Sequence, residues 1–324
     1  MNMNISIPMA LLPVFAVIIA GYGLRSFGFP GETFWPHAER LTYFVLFPAL
    51  LLQKTATAPL NSYGYLLMAA AIFVAVAAMT ALLFLALPWW SLGKDTYTSF
   101  FQGSIRFNTY VGLAAAFALF GNEGLTVASI AMSVLIPLLN VICVSILVVF
   151  CKSARTPHVH SRCGHDTPGV DMGRWRTIAS EIMRNPLVLA CVGGSLLNAS
   201  GTGLHQSIND ILTIFSRAAL PLGLLSVGAG LNFTAAQKSG PVVTASCVLK
   251  LMIFPLIMWM TCRMFGLAPL ATSITVLFAA LPGSPAAYIL SRQLGGDSVL
   301  MASIITVQTP LSMVTIPMVM AFIR

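Results

Sequence analysis

Apolar runs of about 20 residues, each long enough as a helix to cross a bilayer, recur along nearly the whole chain. They fall at 7–24, 37–56, 62–88, 97–120, 124–151, 181–200, 208–231, 240–265, 269–292 and 298–323. Hydrocarbon offers no water to satisfy backbone N–H and C=O groups, so such runs fold as helices. Hydrophobic residues make up 57% of the 324 positions and charged residues 8%, a balance that soluble domains do not approach. The expected fold class is an all-α polytopic membrane protein with ten transmembrane helices.

One run breaks the pattern. Leu277 to Asp297 contains Pro282-Gly283-Ser284-Pro285 near the middle of an otherwise apolar span, where two prolines and a glycine interrupt the helical ladder. Irregular backbone at membrane depth is tolerated where it is buried in protein or lines a cavity, and such breaks mark binding sites in carriers. The chain also repeats itself. A slide of 174 aligns Gly121-Asn122-Glu123 with Gly295-Gly296-Asp297, and a slide of 173 aligns Pro13 with Pro186, Gly21 with Gly194 and Pro48 with Pro221. Five spans per half is an odd number, so the second half enters from the opposite side, making an inverted repeat. The expected organisation is a first repeat at 1–151, a basic loop at 152–180 and a second repeat at 181–324. Position 282 maps back to 108, where the fourth span carries Gly103, Arg106, Asn108, Thr109 and Gly112. Spans four and nine are therefore expected to be broken at equivalent places.

Basic residues set the orientation. With the N-terminus outside, Arg25, Arg40, Lys94, Lys152, Arg155, Arg162, Arg174, Arg176, Arg184, Lys238 and Arg292 fall inside, against Lys54, Arg263 and Arg324 outside. This predicts an inner (plasma) membrane protein with both termini extracytoplasmic, its net charge of +8 lying beside anionic headgroups and requiring no nucleic-acid partner. The N-terminus lacks a basic n-region and cleavage site and reads as a first span. The six cysteines form no CxxC motif and read as small packing residues.

The stretches LTYFVLFPALLLQKTA (41–56), FNTYVGL and ALFGNEGL in span four, ALPLGLLSVGAGL (219–231), KLMIFPL (250–256), ALPGSPAAYILSRQLGGD and ITVQTPLSMVTIPM (280–318) resemble the auxin efflux carrier family, in its bacterial organic-acid permease branch. The resemblance covers nearly the whole chain outside 152–180. It implies a scaffold of spans one, two, six and seven, a moving part of spans three to five and eight to ten, and a substrate site where helices four and nine cross. Members often dimerise through the scaffold, so a homodimer is one expectation. The plant carriers have a proline in the span-four crossover; Asn108-Thr109-Tyr110-Val111-Gly112 has none, which leaves the first break either softer or resting on Gly112.

Broken helices present half-helix N-termini, whose unpaired N–H groups attract anions. The substrate-binding candidates are Arg106, Asn108, Thr109, Tyr110, Pro282, Gly283, Ser284 and Pro285. For Asn108 the alternative is satisfaction of backbone groups freed at the break, and for Arg106 a structural pairing or snorkelling role. Lys250 in mid-span either favours an anion electrostatically or ties span eight to a carbonyl; Arg217 reads as a partner of Asp210. Glu123 and Asp297 read as favourable charges at helix starts. The cluster HVHSRCGHD, with His158, His160, Cys163 and His165, matches no standard zinc spacing. No cofactor, metal site, nucleotide-binding loop or catalytic set is expected, so the chain reads as a non-enzyme. The expected function is secondary transport of a small organic anion, a mono- or dicarboxylate with malate- or malonate-like acids suggested by the resemblance, through elevator-type alternating access. The alternatives are a sodium-coupled organic-anion symporter of the bile-acid type, distinguished by sodium-dependent uptake, and a ligand-sensing receptor signalling through 152–180, distinguished by deleting that loop.

Overall fold

The computed structural model describes residues 7–57, 64–86, 92–150, 186–201, 203–233 and 240–323. The central basic segment with its histidine cluster lies outside them. Every regular element among the described residues is helical: α1 (Ile7–Ser26), α2 (Phe34–Leu41), α3 (Phe47–Ala56), α4 (Tyr65–Ala86), α5 (Lys94–Ile105), α6 (Thr109–Phe150), α7 (Pro186–Ala199), α8 (Gln206–Ala229), α9 (Gly240–Val248), α10 (Phe254–Met264), α11 (Pro269–Ala280), α12 (Pro285–Leu294) and α13 (Ser298–Phe322). Six helical stretches are long and apolar enough to cross a membrane, or seven when the bent pair α11–α12 is one span. The chain is a multi-pass membrane protein. Its outer faces carry Leu12, Leu66, Leu85 and Ile214, each at least 63% exposed, as lipid-facing side chains do.

Proline chemistry shapes several of these elements. Phe47-Pro48 and Phe254-Pro255 each follow a single π-helical turn, Thr42–Leu46 and Leu249–Ile253. A proline cannot donate to the i−4 carbonyl and its ring crowds that carbonyl, and the wider turn relieves the crowding without ending the helix. Gly121, with φ 64° and ψ −150°, folds α6 sharply within its length, and Gly295, at φ 83°, caps α12; both conformations favour glycine. Asp297 then starts α13 by accepting from the Leu300 amide at 2.9 Å. Arg217 is exposed, and Asp210 accepts instead from Gln206 at 3.0 Å.

The helices pack as two groups. In the first, α1 lies along α8 and α3 along α7. Glycines bring these backbones together: a Cβ on Gly228 would stand 1.8 Å from the Ile18 carbonyl oxygen, and one on Gly21 would stand 2.1 Å from that of Leu225. Close approach through small residues is the usual route to helix association in lipid, where burying apolar surface yields little. In the second group, α10 packs on α4 and α11, and α13 packs on α5, α9, α11 and α12. The long α6 touches both groups, and the cysteines Cys143, Cys191, Cys247 and Cys262 are buried free thiols in the packing.

Candidate functional site

Two helix breaks meet inside the second group. The first is made by prolines acting on their predecessors. Leu281 (φ −69°, ψ 150°) and Ser284 (φ −93°, ψ 138°) are both extended, because a following proline disfavours the α region. α11 therefore stops at Ala280, and α12 restarts at Pro285 in the first-turn position that suits proline. The two halves are bent by 46°. Ser284 caps the new helix, its Oγ accepting from the Ala286 amide at 3.3 Å.

The second break has no proline. Arg106 is extended (φ −72°, ψ 152°) and ends α5. Asn108 starts α6 by accepting the Tyr110 and Val111 amides on Oδ1 at 3.0 and 3.3 Å, so a capping side chain does here what the prolines do in the other break. Gly112 is helical and packed tightly; a Cβ there would stand 2.6 Å from Leu281. The break thus rests on residues 106–108 rather than on Gly112. The backbones cross directly: the Asn108 amide donates to the Pro282 carbonyl at 2.8 Å, and Phe107 meets Phe278 edge to face at 5.2 Å.

A cavity of about 670 Å³ opens beside the crossing. Of the residues singled out from the sequence, Arg106, Asn108, Thr109, Tyr110, Ser284 and Pro285 line it, so the starts of both α6 and α12 face one space. Pro282 and Gly283 lie behind the wall, fully within the protein. Tyr110 leans away from the break onto Phe47 of the first helix group, ring centroids 4.6 Å apart. The Asn108 side chain is wholly buried, and its Nδ2 has no hydrogen-bond partner. Lys250 lies outside the cavity and donates to the Ile105 carbonyl at 3.4 Å.

Asn140, Glu39 and Gln308, which were not singled out from the sequence, complete the arrangement together with Arg40. Asn140 of α6 accepts from Nη2 of Arg106, while Nη1 reaches Gln102 at 3.4 Å; the guanidinium is held at the cavity wall by neutral acceptors. Glu39 and Arg40 line the same cavity from α2. Gln308 of α13 is fully buried and joins both breaks: its Oε1 accepts from the Gly283 amide at 2.8 Å, and its Nε2 donates to the Gly103 carbonyl at 3.0 Å. Asn140 and Gln308 were detectable as amides inside apolar spans, where a polar side chain needs a partner. Gln308→Leu is expected to orphan one buried donor and one buried acceptor at about 1–3 kcal/mol each, lowering the melting temperature in detergent. An unchanged melting curve would show that the clamp contributes nothing.

The comparisons agree with a transport reading. A family model described as "Membrane transport protein" matches residues 173–320. Over 313 residues, 95% of each chain, the sequence is 25% identical to a protein of Methanothermobacter thermautotrophicus named as an uncharacterized transporter. The resemblance seen in the motifs of the second half thus extends to a family of membrane transporters, and the similarity to that archaeal chain runs through both halves.

Proposed function

We propose that this chain is a secondary carrier of a small organic anion, moved by alternating access of a crossover bundle against a scaffold. The observation that carries the reading is the convergence of the Arg106 guanidinium with the starts of α6 and α12 on one cavity. A cation and two half-helix N-termini on the same space favour a carboxylate, and a charge at membrane depth is retained where it has a polar task. Malate- or malonate-like acids are the substrates that the family resemblance suggests. The cavity exceeds the volume of such an acid, which assigns part of it to the access path.

Ten crossings in two inverted halves account for the packing. Gly21 of α1 would meet the Leu225 carbonyl of α8, and Gly194 of α7 would come within 2.7 Å of the Leu52 carbonyl of α3. Both pairs are related by the slide of 173, and the left-handed glycines Gly121 and Gly295 by the slide of 174. The α1, α3, α7 and α8 group serves as the scaffold and the other as the moving part. Arg40 and Pro186 line the cavity on the side to which the basic loops belong, so the positive-inside rule assigns this conformation to the cytoplasm-facing state.

Purified protein in proteoliposomes tests the reading by counterflow of malate, malonate and a monocarboxylate. At least one acid should exchange, and Asn108→Ala should reduce exchange while also costing about 1 kcal/mol of stability through the lost cap. Asn108→Ser keeps a capping oxygen and should recover the stability. Exchange of no acid, together with no effect of Asn108→Ala, would refute the assignment.

A further inference from the structure

Lys250 is completely buried, and among the described residues no carboxylate contacts it. Its ammonium donates to the Ile105 carbonyl at 3.4 Å and lies over the Phe254 ring, 4.7 Å from the centroid. The turn that carries it packs against α5, α9, α10, α11 and α13. The charged groups on those elements are Lys94 and Asp95 at the start of α5 and Arg263 near the end of α10. Asp95 stands ten residues before Ile105, about 15 Å along a helix, so the counter-charge of Lys250 comes from the backbone.

Ile105 is the last residue of α5, where the chain turns extended in mid-protein. The end of a helix carries partial negative charge on carbonyls that lack intrahelical donors. Three of these carbonyls are served from outside the helix or by the break itself: Gln102 by the Arg106 amide at 2.8 Å, Gly103 by Gln308, and Ile105 by Lys250. Oxygens crowd the same layer, with Ser104 Oγ donating to Ser246 Oγ at 3.3 Å and Gln308 reaching both the Ser246 hydroxyl and its carbonyl. In ion-coupled carriers, exposed carbonyls at the C-terminal end of a broken helix are where the coupling cation binds. The other break differs: its Pro282 carbonyl takes a neutral amide from Asn108.

We infer that the Lys250 ammonium is a tethered cation occupying the place of a coupling ion at the carbonyl end of α5, so that the crossover is charged for an anion without a bound metal ion. The inference rests on the carrier reading for its transport consequence only; occupancy of the carbonyl end is a property of the fold. The ammonium lies behind the crossing from the cavity, where it neutralises the negative end of α5 and leaves Arg106 and the positive ends of α6 and α12 to act on the substrate.

The test compares wild type with Lys250→Ala, Lys250→Met and Lys250→Arg in chloride salts of sodium, potassium, ethylammonium and choline at equal ionic strength. Wild type should melt at one temperature in all four and exchange acid equally in sodium and choline. Lys250→Ala should melt several degrees lower in choline and recover, saturably, with sodium, potassium or ethylammonium, whereas Lys250→Met, whose side chain fills the space, should not recover. Exchange by Lys250→Met should fall roughly tenfold, a factor typical of one lost charge-assisted contact, and Lys250→Arg should retain most of it. A wild type stabilised by sodium over choline, a Lys250→Ala protein recovered by none of the cations, or full exchange by Lys250→Met would each overturn the inference. Where truncation prevents folding, the Met and Arg variants decide it. Absence of exchange in every protein, with the melting pattern intact, would refute the carrier reading and leave the tethered cation standing.

Discussion

Arg106→Gln is expected to weaken carboxylate binding by about 30-fold or more, because truncating one member of a desolvated, hydrogen-bonded charge contact costs about 2–5 kcal/mol. Arg106 is half-buried and held at the cavity wall by Asn140 and Gln102, so its charge is already positioned when a substrate arrives. The lower end of that range applies because the cavity is open. Arg106→Lys keeps the charge but loses the planar fork that engages both amides, and should fall between wild type and glutamine. Asn140→Leu should act in the same direction by releasing the guanidinium, although Asn140 need not touch the ligand. Titration of each variant with malonate, read as a thermal shift, checks this through the mass-action link between occupancy and stability. Wild-type affinity in Arg106→Gln would remove Arg106 from the site and leave only the half-helix ends as the anion's partners.

Gly228→Ala is expected to be among the most damaging single substitutions for stability. Its added methyl would stand 1.8 Å from the Ile18 carbonyl oxygen and 2.9 Å from the Tyr22 amide. Both neighbours are backbone, so relief requires α1 and α8 to move apart. Overpacking of this kind costs about 1–3 kcal/mol, and the upper end is expected because a whole helix pair must shift. Gly21→Ala meets Leu225 backbone in the same seam and should behave alike. Gly23, two residues further along α1, has nothing within 4 Å of its built Cβ. Gly23→Ala should be neutral or stabilising by up to about 1 kcal/mol, since alanine loses less backbone freedom than glycine. Thermal unfolding in detergent separates these cases. Equal melting of Gly228→Ala and Gly23→Ala would mean that the close helix contact does not hold the first helix group together.

The two breaks were legible in the sequence to different degrees, and the reason is local. Pro282 and Pro285 act on the residues directly before them, a steric effect that needs no partner, so the interruption of α11–α12 could be located to a few residues. The break before α6 has no such marker. Its polar residues drew attention to Asn108 and Arg106, but Gly112 competed as the weak point, and the choice depends on Asn108 Oδ1 turning back to cap its own helix. An asparagine in a span can cap, pair or bind; its sequence neighbours do not choose among these. Lys250 posed the same ambiguity, and the carbonyl it meets belongs to Ile105, a residue 145 positions away.

Read alone, the sequence determined that the chain crosses a membrane as helices, that one of them is broken at 282–285, and that Arg106 and Lys250 need polar company. These follow from hydrocarbon's inability to satisfy backbone or charge. Which group meets which was decided only by the tertiary structure. Arg106 on Asn140, Gln308 bridging Gly103 and Gly283, and the Asn108 amide on the Pro282 carbonyl all join separate helices. The bilayer requires that each polar group find a partner, but the partner is set by how the helices cross, and that depends on close glycine contacts and side-chain packing spread over the whole chain.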